Sequence, residues 1–233
     1  MPQPDFHIFE KTVGITFRNL KLLEQAFTHR SYLNENLRSG LNHNERLEFL
    51  GDAVLELATT DYLYRHYPDK TEGDLTAYRA ALVNTVTIAQ VAADIGLNDY
   101  LLLSRGEAKD IGRARQAILA NTFESLIGAF YLDQGFEVAQ GFINKYLIPR
   151  VGQVIAERRS QDAKSFFQER AQAETDITPA YELLRESGPD HDKTFTVGLY
   201  IGKELMATGS GHSKQEAEQV AAREGLKRRG WTE

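Results

Sequence analysis

The sequence predicts an all-α N-terminal domain followed by a small α+β domain of order α-β-β-β-α. Three observations carry this. Apolar residues fall at helical spacing through the first two-thirds of the chain, with no alternating strand pattern before residue 158. A polar run, Glu157-Arg158-Arg159-Ser160-Gln161-Asp162, then interrupts the pattern. After it come a helix, three short β-rich runs and a second helix. The expected organisation is a first domain over 1–156, a linker over 157–162 and a second domain over 163–231.

The elements follow in order. Leu20, Leu23, Ala26 and Phe27 share a helical face, with Asn19 as N-cap. Asn44 is expected to cap a helix over Glu45 to His66, which Pro68 follows. On it, Leu47, Leu50, Val54 and Leu57 are expected to be buried. A third helical stretch runs from Thr71 to Ile95, with Gly96 as its stop. A fourth spans Arg115 to Leu132 and ends near Gly135. A fifth spans Phe136 to Glu157, with Pro149 marking a kink. In the second domain, Ala163 to Glu174 reads as a helix, and Tyr181 to Glu186, Thr194 to Ile201 and Glu204 to Gly209 as strands. Gly188-Pro189-Asp190 and Ile201-Gly202-Lys203 supply the turns. Ser213 to Arg229 closes the domain, with Ala217, Val220, Ala221 and Leu226 on its apolar side.

Composition narrows the chemistry. With 233 residues, 42% hydrophobic and 26% charged, the chain has the make-up of a soluble globular protein. It has no cysteine, which removes disulfides, thiolate-held zinc, iron–sulfur clusters and thiol catalysis. A cytoplasmic setting is expected. Met1 to Glu10 has no basic run before an apolar core and is not read as a signal peptide. No stretch has the apolar length of a membrane span. The net charge of −6 argues, taken alone, against nucleic acid. Neither residues 1–159 nor the remainder is net basic. Any contact with a polyanion must therefore be local.

The most informative stretch is Asn44-Glu45-Arg46-Leu47-Glu48-Phe49-Leu50-Gly51-Asp52. On a helix, Glu45, Glu48 and Asp52 share one face at i, i+3 and i+7. Three carboxylates within two turns repel one another and call for a compensating cation. Hard oxygen ligands with no Cys and no clustered His point to Mg²⁺ or Mn²⁺. A solvated acidic face paired with Arg46 or Arg65 is the plain alternative. Two features weigh against it. Gly51 sits mid-helix, at a cost of about 1 kcal/mol unless close packing requires it. A second helix carries Asn121 and Glu124 at i, i+3. Face-to-face packing would gather Glu48, Asp52, Asn121 and Glu124 around one ion.

These residues resemble the ribonuclease III family. The signature at 44–52 is followed, in order, by Glu72-Gly73-Asp74-Leu75, by Arg79-Ala80-Ala81-Leu82-Val83-Asn84 and by Ile118 to Gly128. Residues 163–230 resemble the family's double-stranded-RNA-binding domain, so the resemblance covers nearly the whole chain. It implies a Mg²⁺-dependent endoribonuclease that cuts double-stranded RNA to 5′-phosphate and 3′-hydroxyl ends, in rRNA, mRNA or small-RNA processing. It implies a homodimer, with Phe49 matching an aromatic that inserts into the partner. Glu48, Asp52 and Glu124 match the metal-binding and catalytic carboxylates, and Glu45 and Glu72 the auxiliary acids. Asn121 stands where many bacterial members have Asp. An amide oxygen still ligates Mg²⁺ but brings no charge.

The resemblance also implies RNA contacts in the second domain: Gln168 and Glu169 on its first helix, His191 between its first two strands, and His212, Ser213 and Lys214 at the start of its last helix. Free N–H groups and the helix dipole there are expected to favour phosphate. Gln215 stands where the family often has a second Lys. His29 and His43 are expected to be structural or solvent-facing, with contact to RNA as the alternative. His191-Asp192 has the residue types of a metal-binding pair but falls in a loop between strands. Gly-rich nucleotide-binding signatures are absent, so no nucleotide cofactor is expected. Two competing readings remain. One is a duplex-binding protein with a weakened nuclease, which rests on Asn121 alone. The other, a carboxylate-bridged metal oxidase, needs paired Glu-x-x-His motifs that this chain lacks.

Overall fold

The computed structural model describes residues 4–161, 163–189 and 193–231, with the backbone alone for 157–161. The chain divides into two compact units, Met1–Val154 and Ile155–Glu233.

In the first unit the helices run α1 (Phe6–Val13), α2 (Leu20–Ala26), α3 (Arg30–Glu35), α4 (Glu45–His66), α5 (Glu72–Leu82), α6 (Thr85–Asp94), α7 (Arg113–Gln134) and α8 (Phe136–Tyr146). Helix α9 (Val151–Gln161) crosses into the second unit. A 3₁₀ turn, Ile148–Arg150, separates α8 from α9 where Pro149 marks a kink. The polar run expected as a linker is helical through Gln161, and Asp162 lies outside the described residues.

The expected third helix is two helices. Asn84 breaks it by serving both neighbours: its Nδ2 donates to the Ala81 carbonyl at 2.7 Å, and its Oδ1 accepts from Thr87 N at 2.9 Å. One side chain thus ends α5 and caps α6.

Two aromatic clusters anchor the unit. Phe9, Phe27 and Tyr100 lie 5.1–5.6 Å apart, and Phe123 and Phe130 each pack on Phe142 at 5.4 and 4.9 Å. Each fully buried phenylalanine stabilises by about 1.5–3 kcal/mol. Helices α4 and α7 cross at the centre. The buried stripe of α4 is Leu47, Gly51, Val54, Leu55 and Ala58. Leu57, expected inside, is 58% exposed. At 3.6 residues per turn it points roughly 100° from the centre of that stripe.

In the second unit, α10 (Ala163–Thr175) leads into β1 (Ala180–Ser187), β2 (Thr194–Ile201), β3 (Glu204–Gly211) and α11 (Lys214–Arg229). The sheet is antiparallel in the order β1-β2-β3, with Glu182 opposite Gly198 and Gly198 opposite Thr208. Phe167, Ala171, Leu199, Met206, Ala221 and Ala222 join helices to sheet in one core. This is the expected α-β-β-β-α order. Among the described residues, no helix is long and apolar enough to cross a membrane.

Candidate active site

The site begins with two glycines. A Cβ added at Gly51 of α4 would stand 1.8 Å from the Glu124 carbonyl oxygen on α7. One added at Gly128 of α7 would stand 2.3 Å from the Leu47 carbonyl oxygen on α4. The two helices therefore touch backbone to backbone, which no residue with a Cβ allows. Glu48 and Asp52 flank Gly51, and Glu124 lies one turn before Gly128. The crossing brings their carboxylates beside one another.

Asn44 locks this arrangement. It occupies the N-cap position of α4, but contrary to expectation its side chain caps nothing in that helix. The amide is buried and donates to the Ala26 carbonyl at 3.2 Å, and the backbone N–H donates to the Thr28 carbonyl. Its own carbonyl accepts from Leu47 N, Glu48 N and the Ser125 hydroxyl of α7. One residue thus ties α2, α4 and α7 together.

The electrostatics report crowding. Burial, then Asp52, then Glu48 push the Glu124 carboxyl up to about 7. Burial, then Glu45, then Asp52 push Glu48 up as well. Glu72 contributes to neither shift. It opens α5, and its carboxylate accepts from Thr76 Oγ1 at 3.0 Å. Of the arginines in the alternative reading, Arg65 pairs with Asp61 instead, while Glu45 has Arg30 at 3.6 Å and His43 at 3.7 Å.

Asn121 joins Glu45 and Glu48 in the wall of one cleft of about 620 Å³. Among the described residues, no three His, Cys, Asp or Glu side chains stand close enough together to hold a metal ion as they are. The residues are neighbours across a helix crossing, not an assembled cage. The donor set still suits a hard divalent cation: three carboxylates and an amide oxygen, with mutual repulsion that such a cation would offset.

The cleft is also lined by His29, Arg30, Ser31, Asn34 and Glu107, of which Arg30, Ser31, Asn34 and Glu107 were not expected at the site. Glu107 is far from the signature in sequence and had no spacing signal. Tertiary pairing brings it near: Thr28 bridges Leu102 in parallel, and His29 N donates to the Leu102 carbonyl. Burial, the largest influence on His29, lowers its pKa, and Glu107 opposes this. Phe49 stands on the outer side of α4 and is 83% exposed.

In the second unit Gln168 and Glu169 line a shallow concavity on α10 with Ser165 and Gln172. His212, Ser213 and Lys214 are exposed at the start of α11. The expected free N–H groups there are partly engaged. Ser213 Oγ accepts from Glu216 N at 3.1 Å, and the Glu216 carboxylate accepts from His212 N at 2.7 Å. That carboxylate weakens the attraction of this helix end for anions. His191 lies outside the described residues.

Comparison with known proteins matches two families. Residues 19–151 match the family described as ribonuclease-III-like, and residues 163–228 match the double-stranded RNA binding motif. Ribonuclease 3 of Pelotomaculum thermopropionicum is 46% identical over 224 residues, covering 96% of this chain and 93% of that protein. Ribonuclease 3 of Listeria monocytogenes is 43% identical over 213 residues, covering 91% and 93%. The chain resembles the solved structure of the nuclease domain of ribonuclease III from Campylobacter jejuni. The TM-score is 0.56 at 36% identity, covering 61% of this chain and 96% of that one. The description of that structure notes flexibility in a region involved in dimer formation.

Proposed function

The chain belongs to the ribonuclease III family and is an endoribonuclease of double-stranded RNA; on that premise we propose that it cuts with Mg²⁺ held between α4 and α7, leaving 5′-phosphate and 3′-hydroxyl ends. Glu48, Asp52, Asn121 and Glu124 would hold the ion, with Mn²⁺ able to replace it. When bound, the ion neutralises charge developing on the phosphate and makes water more acidic. The residues do the rest. Asp52 orients the attacking water by accepting its hydrogen bond. Glu124 gives up the proton that crowding favours as the site loads. Glu45 and Glu72 act from the substrate side.

The observation that carries this reading is the pair of raised carboxyls, Glu48 and Glu124, crowded by one another and by Asp52 at a glycine–glycine crossing. Evenly distributed surface acids would not be half-buried beside one another in this way. The second domain holds the duplex by shape, since A-form RNA hides its base edges and presents 2′-hydroxyls and phosphates. Gln168, Glu169, His191, His212, Ser213 and Lys214 are its proposed contacts. The exposed Phe49 supports a homodimer in which the ring is covered by the partner; two sites related by a two-fold axis would cut both strands. The setting is the cytoplasm, in rRNA, mRNA or small-RNA processing.

The test is incubation of the full chain with a labelled RNA duplex plus Mg²⁺, plus Mn²⁺, or plus chelator. Metal-dependent cutting to 5′-phosphate ends is expected. Retention of the duplex with no cutting under any condition would leave a binding protein only.

A further inference from the structure

The cleft beside the acidic cluster is lined by Glu45, Glu48 and Asn121 and also by His29, Arg30, Ser31, Asn34 and Glu107. The hydrogen bonds of His29 fix its tautomer. Ser31 N donates to His29 Nδ1 at 3.3 Å, so Nδ1 must be an acceptor. The Ser31 hydroxyl accepts from Ser104 N at 3.1 Å and lies 2.8 Å from the same Nδ1, to which it gives its proton. Every donor in this chain runs toward Nδ1. The ring proton of the neutral imidazole therefore sits on Nε2. No described residue accepts it. The Thr28–Leu102 bridge fixes the adjoining backbone and Ser31 bonds the ring at Nδ1, so the ring is pre-positioned. Capping α3 uses one ring nitrogen and leaves the other as a donor on a residue that lines the cleft with Glu48 and Asn121.

Building on the function proposed above, we infer that His29 is a positioning residue whose Nε2–H holds a backbone oxygen of the nucleotide next to the scissile phosphodiester. The chemistry of the cleft favours a backbone oxygen over a base edge. A duplex offers its backbone to such a site and withholds its base edges. Three carboxylates, Glu45, Glu48 and Glu107, face one guanidinium, Arg30, so the cleft is acidic. A neutral donor fixed in place holds a strand there without adding a mobile charge. A strand whose reacting phosphate sits at Glu48 and Glu124 needs a second point of attachment to set its angle, and a misplacement of about 1 Å costs on the order of a hundredfold in rate.

The test is single-turnover cleavage by the full chain of duplexes that each carry one modification. One set has a single 2′-deoxy nucleotide and the other a single uncharged methylphosphonate linkage, stepped across the cleavage position. Wild type is compared with His29→Asn and His29→Gln. Asn keeps an oxygen to cap Ser31 N–H and loses the Nε2 donor. Gln places an amide N–H about where Nε2 stood. His29→Asn is expected to cut unmodified duplex roughly three- to tenfold more slowly, the value of one neutral hydrogen bond. It should also lose the penalty that wild type shows at one modified position, and His29→Gln should recover it. Loss at a 2′-deoxy position identifies the ribose as the partner; loss at a methylphosphonate identifies the phosphate. Equal penalties at every position in wild type and His29→Asn would overturn the inference while leaving the nuclease reading intact. A wild-type chain that cuts no duplex with any divalent metal would overturn both.

Discussion

Replacing Gly51 with Ala should both destabilise the protein and slow cleavage. An exposed mid-helix Gly→Ala change stabilises by about 1 kcal/mol through helix propensity. Here the new Cβ would meet the Glu124 carbonyl oxygen at 1.8 Å, and the Gly128 backbone N at 2.8 Å, where real Cβ contacts stay beyond 3.0 Å. Both neighbours are backbone atoms, so no side chain can rotate away. Helix α7 must retreat by more than an ångström, or α4 must bend. Overpacking costs about 1–3 kcal/mol and more when backbone must move. The net destabilisation is put at about 2 kcal/mol, a fall in Tm of roughly 4–8 °C for a unit of this size. The retreat also carries Glu124 away from Glu48 and Asp52. Cleavage should therefore fall on the order of a hundredfold at temperatures where the variant is fully folded. Circular-dichroism melting and single-turnover cleavage of a labelled duplex measure the two effects. An equal or higher Tm together with a wild-type rate would refute the backbone contact and its role in placing the carboxylates.

Other consequences follow from the same geometry. Burial and its carboxylate neighbours push Glu124 up to about 7 from the ordinary 4.5, so the folded state binds the extra proton between those values. The stability it contributes is complete below about pH 4.5 and is lost as pH rises through 7. In chelator, Tm should fall over that window, and Glu124→Gln should remove much of the slope; an unchanged slope in the variant would show that other groups set it. Asn121→Asp adds a fourth carboxylate. It should lower the Mg²⁺ concentration for half-maximal cleavage while leaving the rate at saturating Mg²⁺ within a few-fold; a gain of orders of magnitude at saturation would show that the amide is not a competent ligand. Lys214→Ala should weaken duplex binding similarly for unrelated sequences and reduce the salt slope by about one unit, as loss of one phosphate contact requires. An unchanged affinity at moderate salt would remove Lys214 from the interface.

The parts legible in the sequence were those specified locally. Helix α4 is bounded by Asn44 and by the segment before Pro68, and the spacing of Glu45, Glu48 and Asp52 needs only a helix to have meaning. Gly51 was informative because its helix cost called for close packing, which the crossing with α7 supplies. The parts that were not legible depend on distant partners. Asn44 looks like a cap and instead bonds the Ala26 carbonyl. Asn84 looks like a mid-helix residue, because apolar spacing continues through it, and is a break with bonds to both sides. The part of the cleft lined by His29 and Glu107 depends on a bridge between Thr28 and Leu102, which no periodicity encodes. Glu216 reads as an ordinary first-turn acid, yet it occupies the His212 N–H at a proposed phosphate contact. The charge of −6 misleads as a whole-chain quantity: several of its negatives, Glu45, Glu48, Asp52 and Glu124, are gathered at one helix crossing.

If the carboxylates at the α4–α7 crossing cut double-stranded RNA with a divalent metal, Glu124→Gln should disable them, because it removes one charge and keeps the shape of the side chain at the most crowded position. Wild type and variant are mixed with a labelled duplex, and cutting and gel retardation are read with Mg²⁺ and with chelator. Wild type should cut only with metal, and Glu124→Gln should retard the duplex equally but cut slower by roughly a hundredfold or more. Cutting by wild type in chelator, or a wild-type rate from Glu124→Gln, would contradict that chemistry.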